Sequence, residues 1–274
     1  MNRLSIEERA QIVSALVEGN SIRSISRMFG FSKNTIAKLL VELGAACSKY
    51  MNENLVNLPC KRVQVDEIWS FVYAKQKNVT PDILADRIAG DVWTWIAIDA
   101  DTKLVCSWLI GPRDTGTATE FMQDLAGRLT HRVQLTSDGH KPYLVAVADA
   151  FGNDIDYAML VKVYGESSDG QKRYSPAECM GCKKETKIGD PDQKHVSTSY
   201  VERQNLTMRM SMRRFTRLTN AFSKKVENHI ASIAIHYMHY NYVRIHQTLR
   251  VTPAMQAGVT DHLWSIAEVV TLLA

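Results

Sequence analysis

The sequence has little cysteine and no long apolar run, and both absences limit what the protein can be. Five cysteines scattered over 274 residues are too few for a disulfide framework. No apolar stretch approaches the roughly 18 residues that a membrane span needs. Glu7 and Glu8 lie where a signal peptide would have its apolar segment. We therefore expect a cytoplasmic protein with reduced thiols and no membrane partner.

A glycine-rich phosphate loop is also missing, so we do not expect the protein to use ATP. The composition is that of a globular protein, with 45% hydrophobic and 23% charged residues. The charge is distributed unevenly: the net charge is +3 over residues 1–50, −5 over 51–182, +8 over 183–250 and −2 over the remainder. Two basic regions flanking an acidic middle favour a polyanionic partner such as nucleic acid.

The first 54 residues have the pattern of a helix-turn-helix DNA-binding domain, which we predict over residues 1–54. Ser5, Ser21 and Ser32 can each cap a short amphipathic helix, and Gly30 provides the turn between the second and third helices. In such domains the third helix lies in the major groove. Its outward side chains near the start would contact bases and phosphates: Lys33, Asn34 and Lys38. A three-helix packing module with a solvated basic face is the alternative.

Beyond Pro59 the pattern changes to strands. The run KRVQVDEIWSFVYA alternates and is rich in β-branched and aromatic residues, and DVWTWIAIDADTKLVCSWLIG predicts a hairpin. A helix, a strand, a second helix, a further strand and then helices follow. This order is that of a ribonuclease-H-like fold, a mixed α/β sheet flanked by helices. We predict a catalytic domain over residues 55–250 with an insertion around 165–197, and a helical tail over 251–274.

Three carboxylates in distant segments are candidate metal ligands. Asp66 lies inside an apolar strand, where an acid is costly unless it is paired or bound to metal. Asp138 directly follows a strand, and Glu202 begins a helix. Such oxygen ligands are what a two-metal site requires. Each also has a purely structural alternative: a solvent-facing strand acid for Asp66, a turn dipeptide with Gly139 for Asp138, and a capping box with Ser199 for Glu202.

Three stretches resemble the transposases of bacterial insertion sequences, most of all the insertion sequence one family: VQVDEIWSFVYAKQKN, LTSDGHKPY and YVERQNLTMRMSMRRFTRLTNAFSKKVENH. In that family an aspartate–aspartate–glutamate triad on a ribonuclease-H-like fold binds two divalent metal ions. The positions that match the triad are Asp66, Asp138 and Glu202. The 63 residues between Asp138 and Glu202 exceed the spacing of the shortest members, which indicates an insertion.

The resemblance also implies cofactors and partners. Two Mg²⁺ ions, or Mn²⁺ in their place, suit an all-oxygen site. The expected partners are double-stranded DNA, as transposon ends and as target, and further copies of the chain in a homodimer or higher oligomer. The expected location is the cytoplasm of a bacterium or archaeon, in association with the nucleoid.

The segment after Glu202 is strongly basic, and we predict that it follows DNA phosphates. The predicted contacts are Arg203, Arg209, Arg213, Arg214 and Arg217. A solvated basic helix face is the alternative explanation. Asn205, one turn after Glu202, can either support the carboxylate of Glu202 or contact DNA. Cys179 and Cys182 have the spacing of half a zinc site, but no second tight pair of ligands is present in the sequence.

These observations predict a transposase that cleaves DNA and transfers strands with the help of metal ions. Two alternatives remain open at this point. One is a metal-dependent nuclease that does not transfer strands, and the other is a helix-turn-helix regulator that catalyses nothing. An acid inside an apolar strand disfavours the regulator, because such an acid needs a partner.

Overall fold

The computed structural model describes residues 4–86, 88–165, 179–216 and 220–273. The chain begins with three helices, α1 (Ile6–Val17), α2 (Ile22–Phe29) and α3 (Lys33–Asn54). The side chains of Ser5, Ser21 and Ser32 accept hydrogen bonds from the first-turn backbone of these helices, as predicted. Gly30 ends α2 with a φ of 77°, a conformation that favours glycine. The N-terminal segment with these three helices, which we call the head, is therefore a helix-turn-helix.

The middle of the chain forms a six-stranded mixed sheet with the order β3-β2-β1-β4-β5-β6. The strands are β1 (Arg62–Val72), β2 (Gly90–Asp99), β3 (Val105–Gly111), β4 (Gln134–Asp138), β5 (Asp156–Tyr164) and β6 (Cys179–Ile188). The first three strands pair antiparallel, β4 and β5 run parallel to β1, and β6 returns antiparallel to β5. This confirms the predicted ribonuclease-H-like order. Strand β6 was not predicted, and it lies inside the predicted insertion.

Helices cover both faces of the sheet. The remaining helices are α4 (Pro81–Asp86), α5 (Thr115–Arg128), α6 (Pro142–Phe151), α7 (Ser199–Ser211), α8 (Val226–Met238), α9 (Pro253–Gln256) and α10 (Ile266–Thr271). On one face Tyr143 of α6 reaches Glu67 of β1, and on the other His229 of α8 contacts Ser70. Within the described ranges, no helix is both long enough and apolar enough to cross a bilayer.

The head packs directly against the helices that cover the sheet, and one hydrophobic core runs through both. At Gly44, halfway along α3, a Cβ atom would lie only 2.4 Å from the Cα of Ala231 in α8. Helix α3 therefore crosses α8 at a distance that only glycine permits. Gly19, after α1, similarly lies against the carbonyl of Ser211 at the end of α7. The helix-turn-helix is thus supported by two helices of the predicted catalytic domain.

The C-terminal segments complete the packing. Trp264, just before α10, contacts the rings of Tyr50 in α3 and Tyr242 after α8. The amide of Asn241 both accepts from and donates to the backbone of Val105 in β3, at the edge of the sheet. This edge strand is therefore covered by side-chain hydrogen bonds as well as by its neighbour β2.

Candidate active site

The register of two parallel strands determines where Asp66 and Asp138 lie. Gln64 of β1 is level with Thr136 of β4, and each aspartate follows two residues further along its strand. Because side chains alternate with a period of two, both aspartates leave the sheet on the same face. Asp138 is the last residue of β4. The two predicted ligands are therefore brought together by backbone pairing alone.

A third carboxylate, which the sequence analysis did not select, joins this pair. One oxygen from each of Asp66, Glu67 and Asp138 lies within 4.8 Å of the other two. The Glu67 carboxylate is buried, accepts from Arg113 Nε at 2.5 Å, and accepts from the Tyr143 hydroxyl at 3.1 Å. An acidic pair at 66–67 inside one apolar strand was the signal available in the sequence. Because side chains alternate along a strand, Glu67 was expected on the face opposite to Asp66 and therefore away from the site.

The environment of the cluster raises the pKa values of two of its carboxyl groups, Asp66 and Glu67. Burial, then the charges of Glu67 and Asp138, raise the pKa of Asp66 to about 7. Burial also raises the pKa of Glu67, although Arg113 opposes the shift. Both shifts mean that additional positive charge would stabilise the ionised cluster. The donor set consists of carboxylate oxygens, which is the set that Mg²⁺ and Mn²⁺ prefer, so these residues fit a divalent ion.

Helix α7 is fastened to the sheet beside the acids. The buried side-chain oxygen of Gln64 accepts hydrogen bonds from the backbone N–H groups of Tyr200 (2.8 Å) and Val201 (3.2 Å), at the start of α7. These two first-turn N–H groups have no acceptor within the helix, and Gln64 supplies one. One turn later, Asn205 Nδ2 donates to Asp66 Oδ2 at 2.7 Å. Asn205 thus supports the carboxylate of Asp66, whereas the sequence predicted support of Glu202 or contact with DNA. Its contact with DNA stays a prediction.

Glu202 lines the same cleft but has different partners. Its Oε1 accepts from Lys162 Nζ and from Thr198 Oγ1, each at 2.6 Å. Among the residues that the structure describes, Glu202 is not part of the 4.8 Å cluster. The alternative capping box with Ser199 is not formed, because Thr198 is the N-cap residue and makes no side-chain cap. The helix end depends instead on Gln64, and the carboxylate of Glu202 is held by Lys162 and Thr198.

The acids line an open cleft of about 870 Å³ whose walls are partly basic. The charged basic residues that line it are Arg113, Lys141, Lys162 and Arg209, and His140 lines it as well. Burial, followed by the charge of Arg113, lowers the pKa of His140, so this imidazole is neutral at neutral pH. In such a cleft the carboxylates can bind metal ions, and the surrounding cations can bind the phosphates of a nucleic acid.

Comparison with known proteins identifies the head. A protein-family model described as a helix-turn-helix domain matches residues 2–41. No curated protein matches the chain. Solved structures do: 17 chains match, and one is a piggyBac transposase in a synaptic complex with hairpin DNA, determined by cryo-EM. It is 10% identical, has a TM-score of 0.44, and the match covers 100% of this chain and 71% of the other.

The matched region ends within α3, along which buried and exposed side chains alternate. Lys33, Asn34 and Lys38, the three predicted DNA contacts, are all exposed on this part of the helix. Lys38 lies 3.7 Å from Glu42, one turn further on. Further along the helix, Gly44 of α3 packs against Ala231 of α8. Contact between DNA and the exposed side chains of Lys33, Asn34 and Lys38 stays a prediction.

The predicted basic contacts after Glu202 fall into different environments. Arg203 and Arg213 are exposed, and Arg209 lines the cleft. Arg214 donates to Ser223 Oγ at 2.7 Å, and burial lowers the pKa of Arg214 to about 10, so it stays charged. Arg217 lies outside the described residues, as does the side chain of Cys179, half of the zinc candidate. DNA contact by these arginines stays a prediction, with an internal partner now assigned to Arg214.

Proposed function

We propose that the protein is a DNA transposase of the aspartate–aspartate–glutamate type. One observation carries the proposal: parallel-strand register brings Asp66 and Asp138 into a cluster of carboxylates at a partly basic cleft. Helix α7 delivers Glu202 to the same cleft, and the chain also carries a helix-turn-helix. A regulator without catalysis would have no use for buried acids of raised pKa beside an open cleft.

Asp66, Asp138 and Glu202 would hold two divalent ions, Mg²⁺ or Mn²⁺. When bound, the ions supply an activated water or 3′-hydroxyl and stabilise the leaving oxygen of the phosphodiester. Asn205 orients the carboxylate of Asp66 through its hydrogen bond. Arg113 and Tyr143 hold the carboxylate of Glu67 beside the two aspartates. The basic walls of the cleft would bind the phosphates on either side of the reacting bond.

The head and the basic segment would divide DNA binding between them. Lys33, Asn34 and Lys38 would read transposon ends in the major groove, and the exposed Arg203 and Arg213 would bind phosphates without regard to sequence. Two or more copies of the chain would hold the paired ends together.

The proposal is tested by replacing each ligand with its isosteric amide: Asp66→Asn, Asp138→Asn and Glu202→Gln. Loss of a ligand removes several kcal/mol of transition-state stabilisation, so each variant should lose about a thousandfold in Mg²⁺-dependent cleavage of transposon-end DNA. Thr207→Ala is the matched control and should cleave normally, because this half-buried residue of α7 bonds through its hydroxyl to the carbonyl of Arg203 in the same helix. Near-normal cleavage by any amide variant would remove that residue from the triad.

Strand transfer separates a transposase from a nuclease. Pre-cleaved end DNA with a free 3′-hydroxyl is incubated with a supercoiled plasmid and Mg²⁺, and joined products are counted on a gel. A transposase joins the ends to the plasmid, whereas a nuclease nicks the plasmid and joins nothing.

The division of DNA binding is tested by a salt titration on end DNA and scrambled DNA. Asn34→Ala should lose about 1–3 kcal/mol of discrimination between the two DNAs, the value of a bidentate base contact. Arg213→Ala should weaken binding to both DNAs equally and reduce the slope of log affinity against log salt by about one unit. Equal losses on both DNAs for both variants would mean that the head does not read the ends.

A further inference from the structure

The ion pair between Lys162 and Glu202 holds the third member of the proposed triad. Glu202 Oε1 accepts two short hydrogen bonds, from Lys162 and from Thr198, while the cluster of Asp66, Glu67 and Asp138 forms without it. A carboxylate oxygen engaged by an ammonium group is a poor ligand for a metal ion, because the two cations compete for the same lone pairs. Glu202 must therefore exchange Lys162 for the metal.

Lys162 is placed where a second anion can reach it. Strand β5 runs parallel to β4, and Leu160 is level with Asp138. Lys162 follows two residues later on the same face, past the end of β4, and its side chain lines the cleft while remaining 32% exposed. A phosphate that approaches the acids in this cleft would lie next to the ammonium group of Lys162.

The ion pair is also of a kind that exchanges easily. Both side chains are about one-third exposed, and ion pairs in such positions contribute little to stability because water screens them. Lysine carries a compact charge on a flexible stem and can change partners without a change in the backbone. The pair of Arg113 and Glu67 in the same cleft differs, because its carboxylate is buried, with the Glu67 side chain 1% exposed, and its cation is an arginine.

We propose that Lys162 exchanges Glu202 for a DNA phosphate, so that DNA binding releases Glu202 to the metal site. Lys162 is thus a positioning residue that couples substrate binding to assembly of the triad. This inference rests on the proposed function. Coupling between two ligands is reciprocal: DNA raises the affinity for the metal by the same factor by which the metal raises the affinity for DNA. Without DNA, Lys162 opposes loading of the metal.

The test measures Mn²⁺ binding to the full-length chain by calorimetry, with and without a short random-sequence duplex. Such a duplex offers phosphates but no transposon end to cleave. For the wild type, DNA should tighten Mn²⁺ binding at least about fivefold, the lower limit of ordinary allosteric coupling. Lys162→Met should bind Mn²⁺ without DNA as tightly as the wild type does with DNA, and DNA should have no further effect.

Two variants serve as controls. Lys162→Arg keeps a cation beside Glu202 and should retain the response to DNA. Lys184→Met removes a lysine from the neighbouring strand β6, where its ammonium group contacts the Gln193 carbonyl, and should behave as the wild type. Because residue 162 is partly exposed, both substitutions at this position should fold, which a thermal melt verifies.

The outcomes separate the two hypotheses. If Lys162→Met leaves metal affinity without DNA unchanged, or keeps the full response to DNA, the coupling role of Lys162 is wrong and the metal site stands. If the wild type binds Mn²⁺ no better than Asp66→Asn does, with and without DNA, the proposed function itself fails.

Discussion

The acids contributed by the sheet and the acid contributed by the helix are held in different ways. Asp66 and Asp138 are positioned by strand pairing, which no side-chain motion can undo. Burial, followed by the charges of Glu67 and Asp138, raises the pKa of Asp66 to about 7. Glu202 lies on α7, is about 40% exposed, and is paired with Lys162. We call Asp66 and Asp138 the sheet half of the site: their positions are fixed, and holding their carboxylates there has an electrostatic cost, which we call strain. Glu202 is the helix half: its carboxylate is already paired and can change partners.

The strain in the sheet half should appear as a stability cost at high pH. The pKa of Asp66 is about 7 in the folded state and near 4 in the unfolded chain, so the folded state keeps a proton that the unfolded chain has lost. Stability therefore falls as the pH rises from about 4 to about 7. In EDTA, Asp66→Asn should raise the free energy of unfolding, by about 2–3 kcal/mol more at about pH 8 than at about pH 5.

Urea denaturation at the two pH values measures this difference. Asp101→Asn is the matched control: Arg62 pairs with Asp101 and lowers the pKa of its carboxyl group, so that variant should lose stability. A destabilised Asp66→Asn at about pH 8 would show that the acids of the sheet are not strained.

The next largest loss of stability is expected when α7 loses its hydrogen bonds to the sheet. Gln64→Ala leaves the N–H groups of Tyr200 and Val201 without their acceptor, and unsatisfied buried donors cost about 1–3 kcal/mol each. We expect a loss of about 2–3 kcal/mol in urea denaturation, together with lower cleavage activity, because α7 would no longer hold Asn205 and Glu202 in place.

Gln134→Ala provides the comparison for Gln64. Its side chain also bonds to backbone, at Asp192, but in an exposed loop, so its loss should cost under about 1 kcal/mol. Equal losses for the two glutamine variants would contradict the role of Gln64 as the anchor of α7.

The hydrogen bond from Asn205 of α7 to Asp66 of β1 joins the two halves, and we expect it to increase the affinity for the metal. Asn205→Ala removes the hydrogen bond to Asp66, and loss of such a supporting contact typically weakens metal binding about 10–100-fold. Mn²⁺ calorimetry measures this change. Thr207→Ala, whose hydroxyl only bonds back to Arg203 of the same helix, should bind Mn²⁺ normally. Unchanged affinity in Asn205→Ala would limit Asn205 to a packing role.

The smallest effect is expected in the helix half. Glu202→Gln loses the ion pair with Lys162, but a partly exposed pair contributes about 1 kcal/mol or less. In EDTA the variant should therefore unfold at nearly the wild-type urea concentration at both pH values. A loss well above about 1 kcal/mol would mean that the pair is structural, and the contrast between the two halves would disappear.

Site residues could be predicted from the sequence where their position within a strand was enough to select them. Asp66 was identified as an acid inside an apolar strand and Asp138 as an acid at a strand end, and local pairing rules then bring them together. Glu67 was missed because alternation places it on the far face, and only Arg113 and Tyr143, 46 and 76 residues away, keep its carboxylate beside the others. The order of strands was predicted apart from β6, whose polar sequence has no clear alternation.

By itself the sequence determined the local elements: serine caps and Gly30 define the head, and short runs rich in apolar and β-branched residues predict the first five strands. These signals act within a few residues, so they can be recognised without knowing the fold. Only the tertiary structure decided the close crossing of α3 and α8 at Gly44, the anchoring of α7 by Gln64, and the pairing of Glu202 with Lys162. Each joins residues 40 to 187 positions apart, and their meeting depends on how the sheet and helices stack.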